Sequence, residues 1–148
     1  MALREDQVRR YARHVLLPDV GGHGQERLLA AMVTVEVQPG DAAAIVALAY
    51  LAAAGVGRVR LTGAVDDPVT ERDVAVGILY RPADLGRPRF EILAARVQAL
   101  NPDVTVTRTD APADVAVAPT GDLCEALIHG GHAATRALAR LANAAPKS

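Results

Sequence analysis

Cysteine and aromatic residues are nearly missing from this chain of 148 residues: one Cys, no Trp, one Phe and three Tyr. A lone Cys124 excludes a disulfide framework and any multi-cysteine zinc site. Four scattered aromatics supply no platform for stacking bases. Sixteen basic against 17 acidic side chains leave no general attraction for a phosphate backbone, so a nucleic-acid binder is not expected. No apolar run is long enough to span a bilayer, and Arg4, Glu5, Asp6, Arg9 and Arg10 are incompatible with an N-terminal signal sequence. What the chain does have is small apolar residues: hydrophobic side chains make up 51%, mostly Ala, Val and Leu. That composition suits close helix-on-sheet packing in one domain and predicts a soluble, cytoplasmic α/β protein.

The pattern along the chain predicts an N-terminal helical segment over 1–32, a Rossmann-type domain over 33–143 and a loose tail over 144–148. Val8, Tyr11, Ala12, Val15 and Leu16 share one face of a helix over 2–17, which Pro18 ends. A short helix is expected from Gln25 to Met32. Val33–Val37 alternates β-branched residues and reads as a strand. After Gln38-Pro39-Gly40, Asp41 is placed to cap a wholly apolar helix that runs to Ala54. Gly55-Val56-Gly57 closes that helix, and Arg58–Thr62 begins a second strand, which completes a right-handed βαβ unit. A helix from Pro88 to Leu100, a strand over 104–107 and a short fourth strand over 115–118 follow. Leu123–Leu141 is expected to be helical with an interruption at Gly130-Gly131. The expected fold is therefore a Rossmann-like parallel sheet of about four strands with helices on both faces.

Five phrases, in order, carry a resemblance. They are Tyr11-Ala12-Arg13-His14-Val15-Leu16-Leu17-Pro18, Gly24-Gln25-Glu26-Arg27-Leu28, Tyr50-Leu51-Ala52-Ala53-Ala54-Gly55-Val56-Gly57, Leu85-Gly86-Arg87-Pro88-Arg89 and Ala99-Leu100-Asn101-Pro102. Together they resemble the ThiF/MoeB/HesA family, kin of the ubiquitin-activating enzymes, over roughly residues 8–122. Members bind ATP and adenylate the C-terminal carboxylate of a ubiquitin-like carrier or modifier protein. They run on for about a hundred residues more, often with a zinc-holding Cys-x-x-Cys pair, so the resemblance implies a truncated member.

That resemblance also assigns site positions. The family's Gly-x-Gly-Gly-x-Gly phosphate loop falls on Pro39-Gly40-Asp41-Ala42-Ala43-Ala44, where none of the four glycine positions keeps a glycine. Pro39 offers no N–H, and Asp41 at the helix start takes the place of a phosphate, a carboxylate being favoured there by about 0.3–1 kcal/mol. The phosphate-contacting Arg of the Asn-Leu-Gln-Arg-Gln phrase falls on Val76. The catalytic, magnesium-linked Asp falls on Gly121, with Asp122 one residue away. Three positions are left as vestiges of cofactor binding: Asp66 for the ribose if its loop carries an insertion, a strict alignment placing Gly63 there, against a plain Asp-Asp-Pro turn; Arg89 for the family lysine; and Arg13, which in the family reaches the nucleotide of a dimer partner, against a solvated helix face.

These losses lead to the expectation of a non-catalytic subunit that binds no cofactor. Its partner would be a second copy of itself or a complete family enzyme, with a ubiquitin-like carrier protein as a further partner. The other reading is an ATP- and magnesium-dependent adenylyltransferase for a sulfur carrier, working through Asp66, Arg89 and Asp122. His129-Gly130-Gly131-His132 reads as loop residues rather than a metal site, and Cys124 as core rather than a nucleophile.

Overall fold

The computed structural model describes residues 2–118, 120 and 122–143. The tail expected at 144–148 lies outside them. The N-terminal segment folds as α1 (Glu5–Arg10), α2 (Ala12–Val15) and α3 (Gly21–Ala30). The expected single helix is thus broken at Tyr11, whose backbone leaves helical geometry (φ −102°, ψ 18°). The break coincides with the anchoring of the Tyr11 side chain, 2% exposed, in the domain below. Helix α3 starts earlier than expected, because the glycine run at 21–24 winds into its first turn.

Strand β1 (Met32–Val37) leads through a tight turn to α4 (Ala42–Ala54), then to β2 (Arg58–Gly63). A short α5 (Glu71–Val76), α6 (Arg89–Leu100), β3 (Thr105–Arg108) and α7 (Leu123–Ala142) complete the order. The three strands form one parallel sheet in the order β1-β2-β3, with Val33 opposite Val59 and Val59 opposite Val106. The fourth strand expected at 115–118 is reduced to one parallel bridge, Val115 to Val35, on the free edge of β1. In space the order is therefore 115-segment, β1, β2, β3, and chain direction reverses its spread at β1. Crevices at such switch points, beyond the strand C-termini, are where open α/β sheets bind ligands.

The core is small-residue packing. Val35, Val59, Leu61, Ala44, Ala47, Leu48 and Leu51 have no exposure at all. Helix α7 is continuous, against the expected interruption at Gly130-Gly131. The reason is steric: a Cβ on Gly130 would lie 2.3 Å from the Ala43 carbonyl oxygen, so the glycine is what lets α7 lie on α4. Its cost in helix propensity, about 1 kcal/mol, is offset by that contact.

Asp103, in the α6–β3 connection, ties the N-terminal helices down. It accepts hydrogen bonds from Arg4 Nη2 (2.7 Å), Tyr11 Oη (3.0 Å), Gln7 Nε2 (3.2 Å) and Arg10. Asn101 Nδ2 in turn donates to Tyr11 Oη and to the Ala52 carbonyl, each at 2.8 Å. Burial opposes ionisation of Asp103, but the donors led by Arg4 and Tyr11 outweigh it and hold its carboxyl below the usual range. A carboxyl lowered by folding stabilises above its unfolded pKa and stops doing so as pH falls through the folded one. Acidification below about pH 4 should therefore loosen residues 4–15 first. Limited trypsin cleavage at Arg9, Arg10 and Arg13 would report it. Asp103→Asn should show the same looseness at neutral pH, with a loss of about 1.5–3 kcal/mol. Cleavage at an unchanged rate in that variant would contradict the role given to Asp103.

Candidate functional site

The turn between β1 and α4 stands at the switch point. Its cleft, about 230 Å³, is lined by Glu36, Gln38, Asp41, Ala116, Val117 and Ala118. A larger hollow of about 450 Å³ lies between α2–α3 and α7, but its lining is mainly Leu, Val and Ala and it is remote from the turn. Chemistry, not size, marks the site.

Asp41 caps α4 as the sequence predicts, accepting the Ala44 N–H at 3.0 Å. Burial pushes its carboxyl up, against the pull of the Ala44 and Ala43 amides. Gly40, at φ +71°, points its N–H at Asp73 Oδ1, 2.8 Å away. Asp73 belongs to α5, a helix the sequence reading passed over although its Thr70-x-x-Asp73 capping box is a legible start signal. The Asp73 Oδ2 atom accepts the Thr70 N–H (2.7 Å), the Thr70 hydroxyl (2.8 Å) and Arg89 Nη2 (2.8 Å). Burial works against the Asp73 charge, yet Arg89, Gly40 and Thr70 together keep its carboxyl below the usual range.

Arg89 is fully buried. Besides Asp73 it donates to the carbonyls of Ala64 and of Pro68, the latter at 3.2 Å. Its Nε and the buried Tyr80 hydroxyl have no partner among the described residues. Burial first, then the Asp73 charge, pushes the Tyr80 phenol up.

Asp66 is exposed just past the C-terminal end of β2, paired with Arg108 at 2.8 Å. The Arg108 guanidinium stacks 3.8 Å over the Phe90 ring. Arg13 is exposed on α2 and does not line the cleft. Asp122 is the N-cap of α7, accepting the Glu125 N–H at 3.0 Å. Gly121 lies outside the described residues. Cys124 is exposed on α7, not in the core as expected. His129 and His132 lie on the same helix rather than in a loop, and no metal-holding cluster occurs among the described residues. Arg72, missed by sequence reasoning, is exposed on α5 and lies beside Gly40: a Cβ on Gly40 would be 3.2 Å from Arg72 Cβ and 3.6 Å from its Nε.

The turn thus holds anionic oxygens through its backbone amides. As folded, those oxygens are its own carboxylates, and the buried Arg89 is paired with one of them. A triphosphate does not fit the turn in this arrangement. The carboxylates lining the cleft are those of Glu36 and Asp41, with the Gln38 carboxamide beside them.

The chain belongs to the ThiF family, whose model matches residues 11–130. It is 40% identical over 115 residues to the SAMP-activating enzyme E1 of Haloferax volcanii, covering 77% of this chain and 41% of that one. It is 41% identical over 107 residues to the sulfur carrier protein adenylyltransferase of Thermus thermophilus, covering 72% and 38% respectively. The ThiS adenylyltransferase of Escherichia coli is 38% identical over 98 residues, covering 66% of this chain and 38% of that one. The chain spans about two fifths of the length of these relatives. Among solved structures it superposes on PaaA with a TM-score of 0.64 and 27% identity, over 76% of this chain and 36% of that one. E. coli TcdA in complex with ATP matches at 0.62 and 22% identity, over 75% and 43%, a likeness of fold.

These relatives overturn the expectation of a non-catalytic interaction subunit, since they are named as adenylyltransferases and an activating enzyme. That expectation rested on the missing glycines, on Pro39 and Asp41 in the turn, and on Val76 and Gly121 at the positions of the family's arginine and aspartate. The Gly40 and Ala44 amides hold anionic oxygens although Asp41 and three alanines replace the glycine-rich loop. Amide direction, rather than the absence of Cβ atoms, is what this turn retains.

No helix among the described residues is long and apolar enough to cross a membrane.

Proposed function

We propose that the chain serves the ATP- and magnesium-dependent adenylation of a ubiquitin-like sulfur carrier at its C-terminal carboxylate. The observation that supports it most is the coincidence of two facts. The family match over residues 11–130 includes the β1–α4 turn, and that turn's Gly40 and Ala44 amides are directed at carboxylate oxygens, those of Asp73 and Asp41. Asp66 supports the sugar end of the reading: it is an exposed carboxylate at the end of the neighbouring strand, where dinucleotide folds hold ribose hydroxyls. Arg13, exposed and without an ion-pair partner among the described residues, suits a contact with a second protomer. The protein partner in this reading is the carrier itself, in the cytoplasm.

Calorimetry with ATP·Mg and ATP–pyrophosphate exchange with a ubiquitin-like sulfur carrier test it. Binding at about 100 μM or tighter, with exchange that requires the carrier, is the expected result. Exchange at background despite a folded protein would overturn the reading.

A further inference from the structure

The edge of the sheet beyond β1 is only partly covered. Val115 commits both of its backbone groups to β1: its N–H donates to the Thr34 carbonyl (3.0 Å) and its carbonyl accepts from the Glu36 N–H (3.1 Å). Strand geometry then turns the N–H and carbonyl of the next residue, Ala116, outward. Neither has a backbone hydrogen-bond partner among the described residues. Ala116 and Ala118 are exposed. Natural sheet edges are blunted by charge, proline or a bulge, whereas Val115-Ala116-Val117-Ala118 carries neither charge nor proline.

A trough runs beside this edge. Two hollows of about 250 and 310 Å³ share Asp114 and Arg140, and the larger one shares Ala116 with the cleft at the turn. The far wall is α7, which runs antiparallel to β1: Gly130 lies against Ala43, past the end of the strand, and Leu141 shares a hollow with Met32 at its start. Arg136 and Arg140, one turn apart on α7, line the trough and are exposed. Neither has an ion-pair partner among the described residues. Asp114, the carboxylate at this end, is already engaged, since its Oδ2 accepts the Thr34 N–H at 2.7 Å. Glu36 and Asp41 make the opposite end anionic.

We propose that this edge receives an extended acidic segment of a second protein, which adds as a further strand beside residues 115–118 and seats two carboxylates on Arg136 and Arg140. Main-chain pairing with Ala116 holds the strand, and the arginines select it. The spacing fits. Side chains two apart in a strand share one face and lie about 6.6 Å apart, while residues four apart on a helix rise by about 6 Å. Asp or Glu at alternate positions therefore matches the two guanidiniums, and Glu36 and Asp41 repel such a segment from the other end. A second copy of this chain fits less well. Its own edge carries one acid, Asp114, and pairing edge to edge would set two basic α7 flanks against each other. The arginine end lies away from the nucleotide turn, so this surface stands or falls apart from pyrophosphate exchange.

Fluorescence anisotropy of a labelled, end-blocked peptide, Thr-Val-Glu-Val-Glu-Val-Thr, titrated with the full chain is the test. Binding at about 100 μM or tighter is the expected result. Arg136→Ala combined with Arg140→Ala, both at exposed helical positions, should weaken it about tenfold or more. Ala116→Pro removes the outward N–H, leaves both Val115 bonds to β1, and should weaken binding by a similar factor. If Ala116→Pro does not fold, slower hydrogen exchange of the Ala116 amide on adding the peptide to the wild type takes its place. A peptide of the same composition with its two Glu adjacent should bind about tenfold more weakly than the alternating one. No binding to the wild type, unchanged affinity in the double arginine variant, or equal affinity for the two peptides would overturn the proposal. So would a wild-type dimer in sedimentation that Ala116→Pro converts to a monomer, since the edge would then belong to a second copy.

Discussion

Arg89→Met should lower the free energy of unfolding at pH 7 by about 3–5 kcal/mol, the range for stripping one partner from a buried ion pair. Arg89 has no exposure, and its partner Asp73 is 1% exposed, so water cannot take over the missing contact. The substitution also leaves the Ala64 and Pro68 carbonyls without their donor. Against a total of about 5–15 kcal/mol for a domain of this kind, such a loss brings the protein close to unfolding.

The penalty should depend on pH. In the wild type burial raises the Asp73 carboxyl but Arg89, Gly40 and Thr70 outweigh it and hold it below its usual range, so its contribution is present above about pH 4 and lost as pH falls through its folded value. Removing the guanidinium removes the largest of the lowering contacts, so the gap between variant and wild type should narrow on acidification. Denaturant melts of Arg89→Met and wild type at pH 7 and pH 4 measure this directly. A penalty that stayed constant with pH would show that the pair is not the source of the loss. A variant as stable as wild type would mean that Arg89 packs only as a hydrocarbon.

Gly57→Ala is the second large effect, with an expected loss of about 3 kcal/mol, the upper end for overpacking a core. A Cβ there would lie 1.8 Å from the Leu29 carbonyl oxygen and 2.8 Å from its carbon. Neither side can yield cheaply. Gly57 donates to the Leu28 carbonyl at 3.0 Å, and its own carbonyl accepts from Thr105 N at 2.9 Å. The residue is the crossing point of α3, β2 and β3. Thermal unfolding of Gly57→Ala beside Gly131→Ala, where nothing lies within 4 Å of the added methyl group, separates the steric clash from the mere exchange of glycine for alanine. Equal melting temperatures would refute the steric account.

The same glycine shows what the sequence could tell. Tyr50–Gly57 was legible as a family phrase, but its residues are structural. Gly55 leaves room for the Tyr11 ring, 2.6 Å from where a Cβ would stand, and Gly57 admits the α3 backbone. Asn101 and Tyr11, from two other phrases, hydrogen-bond to each other. The first two strands, α4 and the Asp41 cap were readable because they rest on local periodicity and on a side chain bonding three residues ahead. Long-range facts were not. Whether Gly130 breaks α7 depends on Ala43, and whether 115–118 makes a full strand depends on its pairing along β1.

At the site the limit was sharper. Arg89 could be named as the cation kept in place of the family lysine, but nothing local reveals that Asp73, 16 residues earlier, has claimed it. Nor does composition show that Gly40 is held by a carboxylate 33 residues away. Replaced family positions pointed to a lost function. The hydrogen bonds show a turn whose Gly40 and Ala44 amides are directed at the carboxylates of Asp73 and Asp41.

Pyrophosphate exchange by the wild-type chain, with ATP·Mg and a ubiquitin-like sulfur carrier added together and separately, bears most directly on the whole reading. Exchange should appear only when both are present and should fall when Asp66 is changed to Ala. Background exchange with a carrier that demonstrably binds the folded chain would contradict adenylation as its role.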